Sequence, residues 1–146
     1  MIRAATRADA ADLVRMAHAF HDAIPALASV PFNDRIAAQS VMMAIYSPDM
    51  LVLALDLEGA KGVLAAQLIR YPLGDAMLAR EIIFWIDPEV RGRWALKMLL
   101  AYEAWAKDRG AVLIGVTSTM TMDHPATKLF ERAGFAVSEV NLMKVA

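Results

Sequence analysis

The chain contains no cysteine, which excludes disulfides, thiolate metal sites and any acyl relay through an enzyme thioester. Glycine (7) and proline (6) are sparse over 146 residues, so neither a low-complexity linker nor a repeat array is written into it. Charge of one sign is also missing. Fifteen Lys and Arg stand against sixteen Asp and Glu, for a formal charge of -1, and the pI is about 6.3. With no basic stripe, nucleic acid is not an expected partner. No apolar run approaches the roughly 18–20 residues of a membrane span. The opening Met-Ile-Arg-Ala-Ala-Thr-Arg does not read as a secretion signal. A cytoplasmic protein with no membrane partner is the expectation.

What is present is apolar. Hydrophobic residues make up 58%, and the mean hydropathy of +0.41 is high for a chain without a span. That excess points to a subunit interface, and so to a homodimer. The length suits one domain over residues 1–146. The ten methionines read as core filler.

Met1 to Ala5 suits an edge strand. Thr6 is positioned to cap a helix in which Ala10, Leu13, Val14, Ala17 and Phe20 recur at helical spacing. After a loop marked by Pro25 and Pro31, Asn33 or Asp34 opens a second helix that stops near Ser47-Pro48. Leu51 to Leu57, a Glu58-Gly59 turn and Gly62 to Arg70 form a hairpin pattern, with the register left open by Lys61-Gly62. Met77 to Ile86 is the next strand, ended by Asp87-Pro88. A long helix spans about Arg93 to Arg109, closed by Gly110. Val112 to Thr117 is a strand, Asp123 is placed to cap a helix from His124 to Ala133, and Phe135 to Val145 suggests two further short strands. The order predicts an α+β fold, with a mixed, mostly antiparallel sheet of six or seven strands and four flanking helices.

The junction at Ile86 carries the most chemical information. A strand runs into the tight turn Asp87-Pro88-Glu89-Val90-Arg91-Gly92, and the turn opens directly into a helix. Such an arrangement aims free N–H groups and the positive end of a helix dipole at one point, a natural seat for phosphate. Arg91 and Arg93 add charge there.

That turn, the Leu99-Leu100 pair, and the later run from Ala126 to Phe135 resemble the GCN5-related N-acetyltransferase superfamily, in the right order and over nearly the whole chain. The resemblance implies acetyl-CoA as co-substrate, no metal, and transfer to a small-molecule or peptide amine in a ternary complex. It places the cofactor on Trp85, Ile86, Arg91, Gly92, Arg93, Trp94, Ala95, Leu96, Asp123 and Phe130, with an amide near Ile86 polarising the thioester. It likewise implies Glu81 as general base and puts acceptor recognition near His18, His21 and Tyr71.

The chain departs from the family pattern in three places. Trp94 and Leu96 stand where glycine or a small residue is usual, Phe130 replaces a proton-donating tyrosine, and Asp123 replaces an asparagine. Ser118, Thr119, Thr121 or water is left to supply a proton. Without the resemblance, Glu81 also reads as a strand glutamate paired with Arg80 or Arg70. His18 and His21 also read as packing histidines, and they lack the third ligand a zinc site needs. A degenerate CoA-binding protein, or a dimeric scaffold of the same fold, stands as the alternative to an enzyme.

Overall fold

In the computed structural model, which describes residues 1–119 and 122–146, five strands form one mixed sheet: β1 (Ile2–Ala4), β2 (Met50–Asp56), β3 (Ala60–Arg70), β4 (Met77–Ile86) and β5 (Ala111–Gly115). They lie in chain order across the sheet. The first three pairings are antiparallel and the last, β4 to β5, is parallel. Only that parallel pair needs a crossover, and the long helix α3 (Arg93–Asp108) supplies it.

Helices α1 (Ala10–Asp22) and α2 (Asp34–Tyr46) are joined by α3 and, after β5, by α4 (Pro125–Arg132). Strand alternation sorts the apolar residues into two cores. Leu13, Met16, Val52, Ala54 and Val63 pack on the α1/α2 face. Leu53, Leu55, Leu64, Met98, Leu99, Tyr102 and Phe130 pack on the α3/α4 face. Burying a leucine of this size stabilises by roughly 2 kcal/mol, so the two layers hold the sheet from both sides.

The four α-helices and the mixed sheet agree with the sequence reading, but the strand count does not. Five strands, rather than six or seven, form among the described residues. The segment from Phe135 onward belongs to no strand, and Val140 and Leu142 stand exposed. Its apolar alternation changes phase at Ser138-Glu139, so neither arm keeps more than two large apolar residues on one face before the pattern breaks. Helix boundaries shift in the same local way. Thr6 closes a 3-10 turn at Arg7–Asp9, with its N–H donating to Asp9 Oδ2 at 2.7 Å, and α1 proper starts at Ala10. Asn33 does cap α2, its Oδ1 accepting from Ile36 N at 3.0 Å. At α4 the cap is His124, whose Nδ1 accepts from Ala126 N at 3.1 Å, and not Asp123. Among the described residues no helix is long and apolar enough to cross a membrane.

Candidate active site

Two irregularities in β4 and β5 create the site. In β4, Ala66 pairs with Glu81 while Ala65 pairs with Ile83, so Ile82 is an extra residue, a β-bulge. The bulge resets the alternation. Glu81, Phe84 and Ile86 consequently face the α3/α4 side together, which strict alternation would forbid. The parallel pairing of β4 with β5 then stops at Arg80 and Gly115. Beyond it the two strands diverge, and a cleft of about 520 Å³ opens between them.

Glu81 sits at the fork. It is only 5% exposed, and its Oε2 accepts from Thr117 N at 3.0 Å across the gap. Burial pushes its pKa up to about 7, and the single amide bond from Thr117 offsets only part of that cost. The alternative pairings do not form, because Arg80 bridges Glu139 at 2.8 Å and Arg70 bridges Asp75 at 3.0 Å. Beneath the fork, the fully buried Tyr102 donates its hydroxyl to Gly115 O at 2.9 Å and fixes the last paired residue of β5. Burial first, and then the neighbouring Glu81 charge, raise the tyrosine pKa, so the phenol stays protonated.

The loop after β4 is tied down by a ladder of side chains. Arg15 of α1 donates to both carboxylate oxygens of Asp87, at 3.0 and 2.8 Å. Trp85 Nε1 donates to the same carboxylate at 3.2 Å, and the Arg91 guanidinium lies 4.9 Å over the Trp85 ring. Burial alone would raise the Asp87 pKa, but the bonds from Arg15 and Trp85 outweigh it and hold the carboxyl below its ordinary value. Arg91 Nε donates to Ile86 O at 2.9 Å, so its charge serves the loop conformation first. Gly92, the N-cap of α3, has φ +121° and ψ -126°, a conformation open essentially to glycine alone.

Of the residues singled out from sequence, Glu81, Trp85, Ile86, Arg91, Gly92, Ala95 and Phe130 are brought together as walls of the cleft. Arg93, Trp94 and Leu96 are not among its lining residues. The Trp94 ring instead lies between two cations, Arg93 at 5.0 Å and Lys97 at 5.1 Å, and Leu96 is exposed. Position 94 has helical backbone within α3, so it needs no glycine, whereas the backbone of Gly92 does. Asp123 is exposed and off the cleft.

The acceptor residues expected on α1 also stand elsewhere. His18 stacks on Phe32 with ring centroids 4.3 Å apart, and His21 meets the same ring edge-on at 5.4 Å. Tyr71 is exposed in the turn after β3. The residues at this end that do reach the cleft are Phe20 in the last turn of α1 and Ala23 and Ile24 just beyond it. An eye to the helix end would have found Phe20, since it continues the apolar stripe past the point where packing on the sheet requires it. Ser118 and Thr119 line the cleft, with Ser118 Oγ 2.6 Å from Thr127 Oγ1; Thr121 lies outside the described residues. Among the described residues there is no group of three or more His, Cys, Asp or Glu able to hold a metal ion.

A five-strand mixed sheet that splays after β4, with four helices around it, is the acyl-CoA N-acyltransferase-like fold. The solved structures similar to this chain include a GNAT family acetyltransferase from Staphylococcus aureus, with TM-score 0.71 and 15% identity over 100% of this chain and 98% of that one. An aminoglycoside acetyltransferase from an uncultured soil metagenomic sample superposes with TM-score 0.73 at 16% identity, over 100% and 97%. A transcriptional regulator from Bacillus halodurans superposes with TM-score 0.81 at 18% identity, over 100% and 99%. No family model and no curated protein sequence matches the chain. Likeness at these identities shows the fold, and neighbours with such different descriptions leave the activity to the chemistry of the cleft.

Proposed function

We propose that this chain is an N-acetyltransferase that moves the acetyl group of acetyl-CoA directly to an amine in a ternary complex. The observation that carries the reading is the buried Glu81 carboxyl, titrating at about 7, at the fork of β4 and β5. An alkylammonium must lose a proton before its nitrogen can attack, and a base titrating near neutrality is well matched to taking it. Glu81 takes the ammonium proton, directly or through one water; the free amine then attacks the thioester carbon, the C–S bond breaks, and the adduct's second N–H proton passes to solvent. With Phe130 offering no proton, the departing thiolate leaves as such and is protonated by solvent.

Asp87 N donates to Lys61 O at 2.9 Å on the β3 side. Strand alternation therefore turns the N–H groups of Phe84 and Ile86 toward the split. Across the bulge, Phe84 and Ile86 pair with Leu64 and Gly62, two and four residues along β3 from Ala66, the partner of Glu81, so they lie about 7 and about 13 Å from Glu81 along the sheet. The Phe84 amide is the better placed to polarise the thioester carbonyl while acceptor and water span the rest, a contribution of a few kcal/mol. Gly92 and the first turn of α3 would receive the pyrophosphate.

Calorimetric titration with acetyl-CoA, with desulfo-CoA and ATP as controls, tests the donor. One micromolar site per chain is expected for both CoA compounds, and no heat at millimolar acetyl-CoA overturns the reading. A second reading, CoA binding without chemistry, is favoured by one feature: Phe130 lies between Phe84 and Phe135, at 6.2 and 6.3 Å, where a hydroxyl donor is usual. Binding without turnover of any amine would select it.

A further inference from the structure

The cleft is rich in apolar wall and poor in acid. On the side reached from α1 it is lined by Phe20, Ala23, Ile24 and Phe84, and among its described lining residues Glu81 is the one carboxylate. Two of the neighbouring acids are committed elsewhere. Asp22, beside Ala23, faces His18 at 3.6 Å and His21 at 3.4 Å on the outer surface of α1. Asp87 is consumed by Arg15. The other charged side chains on the wall are cationic: Arg91, and Arg132 at the end of α4.

Each ammonium taken into such a cleft loses hydration and needs an opposite charge or hydrogen-bond acceptors to replace it. One can be matched by Glu81, while on the α1 side a second would face the aromatic and aliphatic wall of Phe20, Ile24 and Phe84, since the polar lining groups Thr117, Ser118, Thr119 and His124 come from the segment between β5 and α4. We infer that the acceptor is a monoamine, a single primary amine carried on an apolar aromatic or aliphatic body, and not a polycation such as a polyamine or an aminoglycoside. The apolar body would lie against Phe20, Ile24 and Phe84, with the amine toward Glu81. The inference rests on the acyl-transfer reading only in taking the cleft ligand to be an amine.

The test is calorimetric titration of the whole chain with 2-phenylethylamine and with spermidine, each with and without saturating desulfo-CoA, so that no reaction intervenes. Phenylethylamine is expected to bind about tenfold or more tightly than spermidine. In Ala23→Asp, which places a second carboxylate at the α1 side of the cleft, that preference should narrow or reverse. Equal or tighter binding of spermidine to the wild type overturns the inference, as does failure of both amines to bind while desulfo-CoA does. If phenylethylamine binds and desulfo-CoA does not, the acceptor class stands and the CoA-dependent reading falls.

Discussion

A carboxylate moved from water into the fork of two diverging strands loses hydration that one backbone amide cannot replace, and Glu81 is in that position. Its raised pKa has two measurable consequences. As the base, it must be ionised to act, so kcat/KM for an amine should rise with pH through about 7. Glu81→Gln should lower kcat by roughly 10²-fold or more and remove that limb from the profile. The second consequence is on stability and has the opposite sense. A carboxyl whose folded pKa is above its ordinary 4.5 binds its proton more tightly in the folded state. Its favourable contribution is complete below pH 4.5 and is lost as pH rises through about 7. Urea denaturation should therefore show Glu81→Gln more stable than wild type at pH 8, by on the order of 3 kcal/mol, with the difference shrinking to near zero at pH 4.

At the scale of elements, the loop between β4 and α3 depends on Gly92 and on the Arg15–Asp87 ion pair. Nothing lies within 4 Å of a Cβ built on Gly92, so substitution there is opposed by backbone strain and not by a clash. Gly92→Ala should cost about 1–3 kcal/mol in a thermal or urea melt. In calorimetry it should weaken acetyl-CoA about tenfold or more, because the turn that presents the first amides of α3 has moved. Arg15→Ala acts at the other end of the ladder. It leaves the Asp87 carboxylate, 3% exposed, with Trp85 Nε1 as its remaining side-chain donor. A loss of about 3–5 kcal/mol is expected. Asp87 is held below its ordinary 3.8, so it contributes stability above that pH that is lost as pH falls beneath it. That acid-side loss should be absent from the Arg15→Ala curve.

Across the whole molecule, apolar surface remains uncovered. Val112 and Leu113 stand 72% and 64% exposed on β5, the bare edge of the sheet, and Val137, Val140, Leu142, Met143 and Val145 line the final segment in the open. A soluble monomer rarely leaves this much contiguous apolar surface in water. The homodimer expected from composition is proposed to bury part of it, and light scattering should find twice the mass of one chain at micromolar concentration. A monomer across that range overturns it. Leu113→Lys should shift the balance toward monomer, since a charge at an edge strand opposes pairing.

The four helices and five strands were legible because each is a local pattern: a 3.6-residue stripe from Leu13 to Phe20, short apolar runs on either side of the Glu58-Gly59 turn in β2 and β3, and Asp87-Pro88 as a stop. The start of α3 and the importance of Gly92 were legible for the same reason. The further strands predicted after Phe135 were not found, because a strand exists only with a neighbour, and composition names no neighbour. The grouping of Glu81 with Phe84 also escaped the sequence. It depends on the bulge at Ile82, and a bulge is a relation between two strands that period-two counting in one of them cannot see. That His18 and His21 are not among the cleft's lining residues has a related reason, since which side of α1 meets the cleft follows from how that helix crosses the sheet. Local propensity and burial period were written residue by residue into this chain. The cleft, the one carboxylate among its described lining residues and that acid's raised pKa were decided only when the divergence of β4 and β5 buried Glu81 at the fork.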